Sequence, residues 1–214
     1  MTSSGRDNAL ARQLERYYVR FNDEFWTWFE STIQPLLPDE PTLVDVGSGP
    51  GLYLRDVSAR LPKAKLTGID AAQEMIDSAR GLEYVGAPPT MVLQDAAGGR
   101  LPLDDASVDL LTITAVLHTF NDPWAFLDEA RRVLAPNGHL MVYDWVRVSM
   151  EDYIAQRQVE PGDAVDLRYP RALQLFSTHN KYTADDWRWV IGKAGFEIVA
   201  EVAPHVRARA FLAR

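Results

Sequence analysis

Asp45, Asp70 and Asp95 are set at intervals that three successive strand ends would bring side by side, with Gly47, Gly49 and Gly51 just after the first. Glycines spaced G-x-G-x-G between a strand and a helix let the backbone approach a ligand where a Cβ would collide. The spacing is shorter than the G-x-G-x-x-G of dinucleotide sites. Asp45 precedes Gly47 by two residues, inside the strand, where a carboxylate is awkward for a pyrophosphate and suits a cationic amine. Asp70, 19 residues after Gly51, is placed to accept from both ribose hydroxyls. Asp95 is placed to accept from an adenine amino group. Together these groups predict a neutral-to-cationic nucleoside ligand. His118 and Asp144 follow two later strands and are the candidate proton-transfer pair. His118 would act as the base, and Asp144 would accept a proton or orient His118.

Alternating strands and helices must position these groups. Leu43–Gly47, Leu66–Asp70, Met91–Gln94, Val108–Thr114 and Leu140–Asp144 read as buried strands. Leu54, Val57 and Leu61 form one face of a helix after the glycine turn, and Gln73–Arg80 reads as a short helix. Asp122-Pro123 is an N-cap with proline at the first helical position, and Asn137-Gly138 is expected to close that helix. Thr183 with Asp186 resembles a capping box that opens a helix burying Trp187, Val190 and Ile191. Phe196–Val202 and Val206–Leu212 form a terminal antiparallel pair. The expected fold is α/β: a Rossmann-like, doubly wound, mostly parallel seven-stranded sheet with a terminal antiparallel hairpin and an N-terminal helical cap. Ligands bind such sheets beyond the carboxyl ends of the strands.

Residues 9–34 predict one helix with an aromatic stripe of Tyr18, Phe21, Phe25, Trp28 and Phe29, stopped by Pro35, Pro38 and Pro41. Seven of the chain's 22 aromatic residues lie between 17 and 29. Tyr17 and Trp26 flank the stripe, so they are expected to be freer to face a ligand. An aromatic face attracts a sulfonium or ammonium group. His139 and His205 sit beside turns and are expected to be solvent-exposed.

Composition sets the outer bounds. With 214 residues the chain is about one domain, and without cysteine it has no thiol nucleophile or Cys-ligated metal. A net charge of −8 and the lack of a Lys/Arg run argue against nucleic acid as a partner. The longest apolar stretch, Leu110 to Leu117, is far below the ~20 residues of a membrane span. The N-terminus lacks a signal pattern, so a cytoplasmic monomer or homodimer is expected.

The segments LVDVGSGPG (43–51), LTGID (66–70), LQDAAGGRLPLDDASVDLLTITAVLHTFNDP (93–123), RRVLAPNGHLMVYDW (131–145) and KYTADDWRWVIGKAGFEIV (181–199) resemble the class I S-adenosylmethionine (SAM) dependent methyltransferases, in order and spacing. The resemblance implies SAM as cofactor. It implies that Gly47, Ser48, Gly49 and Gly51 line its methionine and ribose portions, with Asp45 near the amino group. Asp70 would bind the ribose, Ala71 and Met75 would flank the adenine, and Asp95 with Ala96 would contact its edge. Ala115 and His118 would border the sulfonium. The N-terminal helix matches no motif of the family, and it is the attraction of an aromatic face for a sulfonium that suggests Tyr18 or Tyr17 closing over it. Tyr17, Tyr169 and His179, with Arg168 and Tyr182, would face the acceptor.

The division that follows is a cap over 1–41 and a SAM-binding domain over 42–214 with a lid at 145–182. The expected activity is methyl transfer to O or N of a small metabolite in biosynthesis. No metal is expected, because Thr114-Ala115 and Asp144-Trp145 offer no clustered oxygen ligands. The alternative is an enzyme that consumes SAM without methylation. In the manner of the azetidine-2-carboxylate synthases, it would cyclise SAM and release methylthioadenosine.

Overall fold

The computed structural model describes residues 17–98, 100–155 and 175–214. The strands are β1 (Thr42–Val46), β2 (Lys65–Asp70), β3 (Thr90–Leu93), β4 (Val108–Thr114), β5 (Leu134–Trp145), β6 (Ile198–His205) and β7 (Ala208–Ala213). They form one seven-stranded sheet in the order β3-β2-β1-β4-β5-β7-β6. The first five pair in parallel, and β7 lies antiparallel between β5 and β6. Among the described residues the helices are α1 (Asp23–Trp28), α2 (Leu52–Arg60), α3 (Gln73–Arg80), α4 (Pro123–Val133), α5 (Met150–Ala155) and α6 (Ala184–Lys193), with residues 17–20 and 175–179 also helical.

Strand alternation divides the apolar residues between two cores. Val44, Val46, Leu111, Ile113, Val142 and Phe211 point to the face covered by α4 and α6. Leu43, Leu110, Met141, Tyr143 and Leu212 point to the opposite face, under α1 and α2. Burial on both sides explains why these strands read as continuous apolar runs. Asp45 shares the face of Leu43, and Thr112 that of Leu110, so both polar groups are buried beneath the N-terminal segment.

The caps are as the sequence predicts. Asp122 accepts from the backbone of Trp124 and Ala125 with Pro123 at the helix start, and Thr183 and Asp186 form a reciprocal capping box. Some boundaries differ. Helix α4 ends at Val133 rather than at Gly138, because Leu134 turns extended (φ −67°, ψ 132°) and pairs with Val108. The ladder then shifts register between Val108 and Leu110. Gly138 lies so close to β4 that a Cβ there would sit 2.5 Å from the Val108 carbonyl oxygen. The terminal hairpin runs later than expected, to His205 and from Ala208, with an irregularity between Val202 and His205.

The N-terminal segment is not one helix. Residues 17–20 are helical, then Asn22 adopts an extended backbone (φ −81°, ψ −179°), and its side chain caps a new helix by accepting from Phe25 N. A π-turn over Phe29–Ile33 and a 3₁₀ turn over Gln34–Leu36 follow. The break rotates the stripe toward Tyr17 and Trp26, which are 3% and 7% exposed, while Tyr18 is 54% exposed. Trp26 therefore does not face a ligand. It stacks on Tyr53 and carries the Arg60 guanidinium 3.7 Å above its ring. Polar bonds tie the segment to the core: Tyr17 Oη donates to Asp56 (2.7 Å), Asn22 Nδ2 to Pro204 O (2.8 Å), and Tyr143 Oη to Arg20 O (2.7 Å).

The stems of the region from 145 to 182 are clasped together. Asn180, buried, accepts from Val148 N at 2.8 Å and donates to Val148 O at 2.9 Å. Arg147 N donates to Tyr182 O at 2.7 Å, and the Arg147 guanidinium donates to the carbonyls of Asn180 and Lys181.

Candidate functional site

The order β2-β1-β4 places the sheet's switch point between β1 and β4, so Gly47 and Ala115 come together at their carboxyl ends. The turn after β1 is held by Gly47 N and Ser48 N, both donating to Ile69 O. Gly47, Gly49 and Gly51 all have positive φ (70°, 54° and 81°), the region other residues avoid. They do different work. A Cβ on Gly47 would lie 2.4 Å from Val116 Cγ2, whereas one on Gly49 would meet nothing within 4 Å. Gly49 is the turn's open face. A Cβ on Gly51 would lie 2.8 Å from Ala79 Cβ, so its role is to pack α2 against α3.

Two adjoining cavities, of about 180 and 220 Å³, share Gly47 and Val116 as a wall. The first lies under the N-terminal segment, lined by Tyr17, Arg20, Gly47, Ser48, Gly49, Tyr53 and Ala115 among others. The second runs along the ends of β2 and β3, with Asp70, Ala71, Asp95, Ala96 and Phe120 in its wall. The crevice thus runs from the N-terminal segment to the ends of β2 and β3, with Gly47 and Val116 between its two parts.

Asp70 accepts from Gly49 N (2.8 Å) and Ala72 N (2.9 Å), one amide on each oxygen, so it braces the turn and keeps further lone pairs for a ligand. Asp95 accepts from Ala97 N (2.9 Å) and is otherwise exposed. Asp45 is 1% exposed, accepts from Thr112 Oγ1 at 2.7 Å, and has no partner for its other oxygen. Burial, with Asp70 adding to it, pushes its carboxyl from 3.8 up to about 7. Ser48 Oγ, Tyr53 Oη and Arg20 Nε are likewise enclosed without a partner. Buried orphans of this kind are rare, and their concentration beside one cavity fits a ligand carrying donors and acceptors. The nucleoside and amino-acid portions of SAM fit this set.

The raised Asp45 has a consequence for stability. Its folded form binds a proton more tightly than the unfolded chain does, so its contribution to stability is lost as pH rises from about 4 to about 7. Asp45→Asn cannot lose that proton. The variant is expected to gain melting temperature on the wild type across this window and to hold the gain at pH 8. Thermal melts of both proteins at pH 5 and pH 8 check this.

On the other side of the Val116 loop, His118 and Asp144 meet. His118 Nδ1 lies 2.7 Å from Asp144 Oδ1, and Asp144 also accepts from His118 N (2.9 Å) and Trp145 N (2.7 Å). A carboxylate that accepts from Nδ1–H leaves the lone pair on Nε2. That nitrogen is enclosed and has no partner among the described residues. The His179 ring stands edge-on to His118 at 5.4 Å and stacks on Trp145 at 6.1 Å, with Tyr153 Oη 3.4 Å from His179 Nδ1.

The structure brings most of the expected residues to the crevice: Gly47, Ser48, Gly49, Asp70, Ala71, Asp95, Ala96, Ala115 and Tyr17. It does not bring them all. Tyr18 points outward beside Arg55, because the break at Asn22 turns Tyr17 inward instead. Gly51, the half-buried Met75 and the buried Asp45 line neither cavity. His118 and Asp144 face the His179 side rather than either cavity. His139 and His205 are half-buried rather than exposed, and burial lowers the pKa of each. Tyr169 and Arg168 lie outside the described residues, and Tyr182 packs on Trp187. Sequence reasoning missed Arg20 and Phe120. The signal for Arg20 was a lone cation inside the aromatic run Tyr17-Tyr18-Val19-Arg20-Phe21.

Residues 44–142 match the family described as "Methyltransferase domain". The chain is 31% identical to the trans-aconitate 2-methyltransferase of Azoarcus sp. over 129 residues, covering 60% of this chain and 49% of that protein. It is 30% identical to the demethylmenaquinone methyltransferase of Deinococcus radiodurans over 120 residues, covering 55% and 49%. It thus spans about half the length of these curated relatives. A SAM-dependent methyltransferase from Aquifex aeolicus superposes with a TM-score of 0.64 at 22% identity, covering 92% and 91% of the two chains, which shows the shared fold. The glycine turn and the acids at the ends of β2 and β3 all lie within the residues that match the methyltransferase domain, and the chain shares the fold of a SAM-dependent methyltransferase.

Proposed function

We propose that this protein transfers the methyl group of SAM to an oxygen or nitrogen of a small-molecule acceptor, with His118 as the base. The observation that carries the reading is the buried His118–Asp144 pair, held just beyond the loop that walls both cavities. SAM supplies a methyl on a sulfonium, already activated toward displacement. Much of the protein's share is therefore positioning, which can be worth about 7–11 kcal/mol. Asp70 and Asp95 accept from the nucleoside, and Gly47, Ser48, Gly49 and Ala115 shape the passage between the cavities. Asp144 holds His118 with Nε2 free to take a proton from an acceptor O–H or N–H, a contribution of roughly 10²–10⁴-fold.

Residues 1–41 serve as a cap and residues 145–182 as a lid in this reading. Trp145, Tyr153 and His179 form the acceptor side, and Tyr17 borders the methyl. The acidic balance of the chain favours a small acceptor over RNA or DNA. Both relatives named above carry a small molecule in their own names.

The test is to incubate the purified protein with SAM alone and with SAM plus a metabolite extract, and to identify the nucleoside product by mass spectrometry. S-adenosylhomocysteine formed only with extract is the expected result. Methylthioadenosine formed from SAM alone, above the non-enzymatic background, would instead make SAM the sole substrate and overturn the assignment.

A further inference from the structure

Lys181 reaches from the 180–182 stem to the residue that carries the imidazole. Its Nζ donates to His118 O at 2.9 Å, across 63 residues of sequence. The backbone around it is held: Asn180 is clasped to Val148, Lys181 O accepts from the Arg147 guanidinium, and Tyr182 O accepts from Arg147 N. The side chain thus starts from a fixed point. Among the described residues Lys181 makes no ion pair. A lysine without an acid partner ordinarily leaves its ammonium in water, because ordering the long chain costs rotamer entropy. Here the chain is ordered toward a neutral carbonyl, and that carbonyl belongs to His118.

The turn that bears His118 needs such a hold. It is a single 3₁₀ turn, Leu117–Thr119, within which Thr119 N donates to Val116 O and Phe120 N to Leu117 O. The last carbonyls of a helical turn have no partner inside it, and a lysine can supply one. The turn follows Ala115, whose φ of 55° lies in the left-handed region that residues with a Cβ avoid. Backbone of this kind persists only where its surroundings over-determine it. Three holds do so: Ala115 N on Tyr143 O, Asp144 on His118 N and Nδ1, and Lys181 on His118 O. The first two come from β5, and the third comes from the stem. His118 is gripped at its amide and ring from one side and at its carbonyl from another.

We propose that Lys181 is a positioning residue for His118, fixing from the 180–182 stem the turn that holds the imidazole in place. This rests on the reading of His118 as the base and adds how that base is kept on target. A displacement of about 1 Å near reacting groups can cost roughly 10²-fold. Lys181 lines neither cavity, and the glycine turn is braced separately by Asp70, so the effect falls on turnover rather than on cofactor affinity.

The experiment is a double-variant cycle. Initial rates of S-adenosylhomocysteine formation are measured at saturating SAM over serial dilutions of a metabolite extract. The proteins are the wild type, Lys181→Met, Lys181→Arg, His118→Ala and His118→Ala/Lys181→Met. Lys181→Met is expected to lower the maximal rate by about 10- to 100-fold, with S-adenosylhomocysteine affinity by calorimetry within about twofold. Lys181→Arg, which keeps a cationic donor, is expected to recover part of the loss. In the His118→Ala background Lys181→Met should cost less than about twofold more, because a residue that acts through another adds nothing once that other is gone. The full loss repeated in that background overturns the proposal, as does a matching loss of S-adenosylhomocysteine affinity. An unchanged rate for Lys181→Met beside a slow His118→Ala overturns it alone, whereas a fully active His118→Ala overturns the base reading on which it rests. If Lys181→Met does not fold, Lys181→Gln, whose arm is one bond shorter, takes its place in the cycle. If the wild type gives no turnover, hydrogen exchange of residues 115–121 decides: faster exchange there alone in Lys181→Met supports the hold, and unchanged exchange overturns it.

Discussion

Asp70→Ala is expected to weaken S-adenosylhomocysteine binding by roughly two to three powers of ten. Two losses combine. In the proposed reading a carboxylate that accepts from the ribose hydroxyls is removed, and each hydrogen bond to a charged group is worth about 1.5–3 kcal/mol. The amides of Gly49 and Ala72 also lose their acceptor, so the turn that shapes the crevice loses its brace. Calorimetry measures the affinity, and a thermal melt separates a loosened turn from an unfolded chain. Unchanged affinity in a folded variant would remove the cofactor assignment, because among the described residues no other side chain in the crevice joins the glycine turn to the end of β2.

The second large effect is on turnover rather than on cofactor affinity. His118→Ala is expected to lower kcat by about 10²–10⁴-fold, the usual span for a lost general base, with S-adenosylhomocysteine affinity within about twofold. Asp144→Asn should do comparable damage without removing the imidazole. The carboxamide sets an N–H donor where the carboxylate set an acceptor, which favours the opposite tautomer and puts the proton on Nε2. The double variant is expected to be little slower than the worse single one, since the two residues act as a unit. Full activity of His118→Ala would reduce the pair to a buried strut. Additive losses would mean that Asp144 acts on something other than His118.

What the sequence made legible was local or set by strand order. Asp122-Pro123 and Thr183–Asp186 were readable because a cap is settled within four residues. The meeting of His118 with Asp144 was readable because one follows β4 and the other lies near the end of β5, adjacent parallel strands paired in register, Thr114 against Tyr143. What escaped depended on one backbone break and on packing across the chain. Asn22 followed by Asp23-Glu24 was a readable N-cap, yet the aromatic period ran through it and suggested one helix. That single kink reverses Tyr17 and Tyr18, buries Trp26, and sends Arg20 into the cavity. The end of α4 escaped because Leu134 fits the helical period and the pairing with Val108 outweighs it. Gly51 suited a ligand-lining role by spacing alone, and only the neighbouring helix shows what its missing Cβ admits.

The clasp formed by Arg147, Val148 and Asn180 has an evolutionary side. It joins the two stems with side-chain and backbone bonds that do not involve the chain between them. Once the ends of an excursion are pinned, its length carries little thermodynamic weight: each doubling adds only about 0.6 kcal/mol of closure entropy. Apart from Tyr153 and His179, which pack next to His118, residues between the stems can therefore be replaced, lengthened or shortened by mutation with little disturbance to the sheet or the glycine turn. In the proposed reading, a lineage built this way can try new acceptors by exchanging one cassette while its cofactor chemistry stays under separate selection.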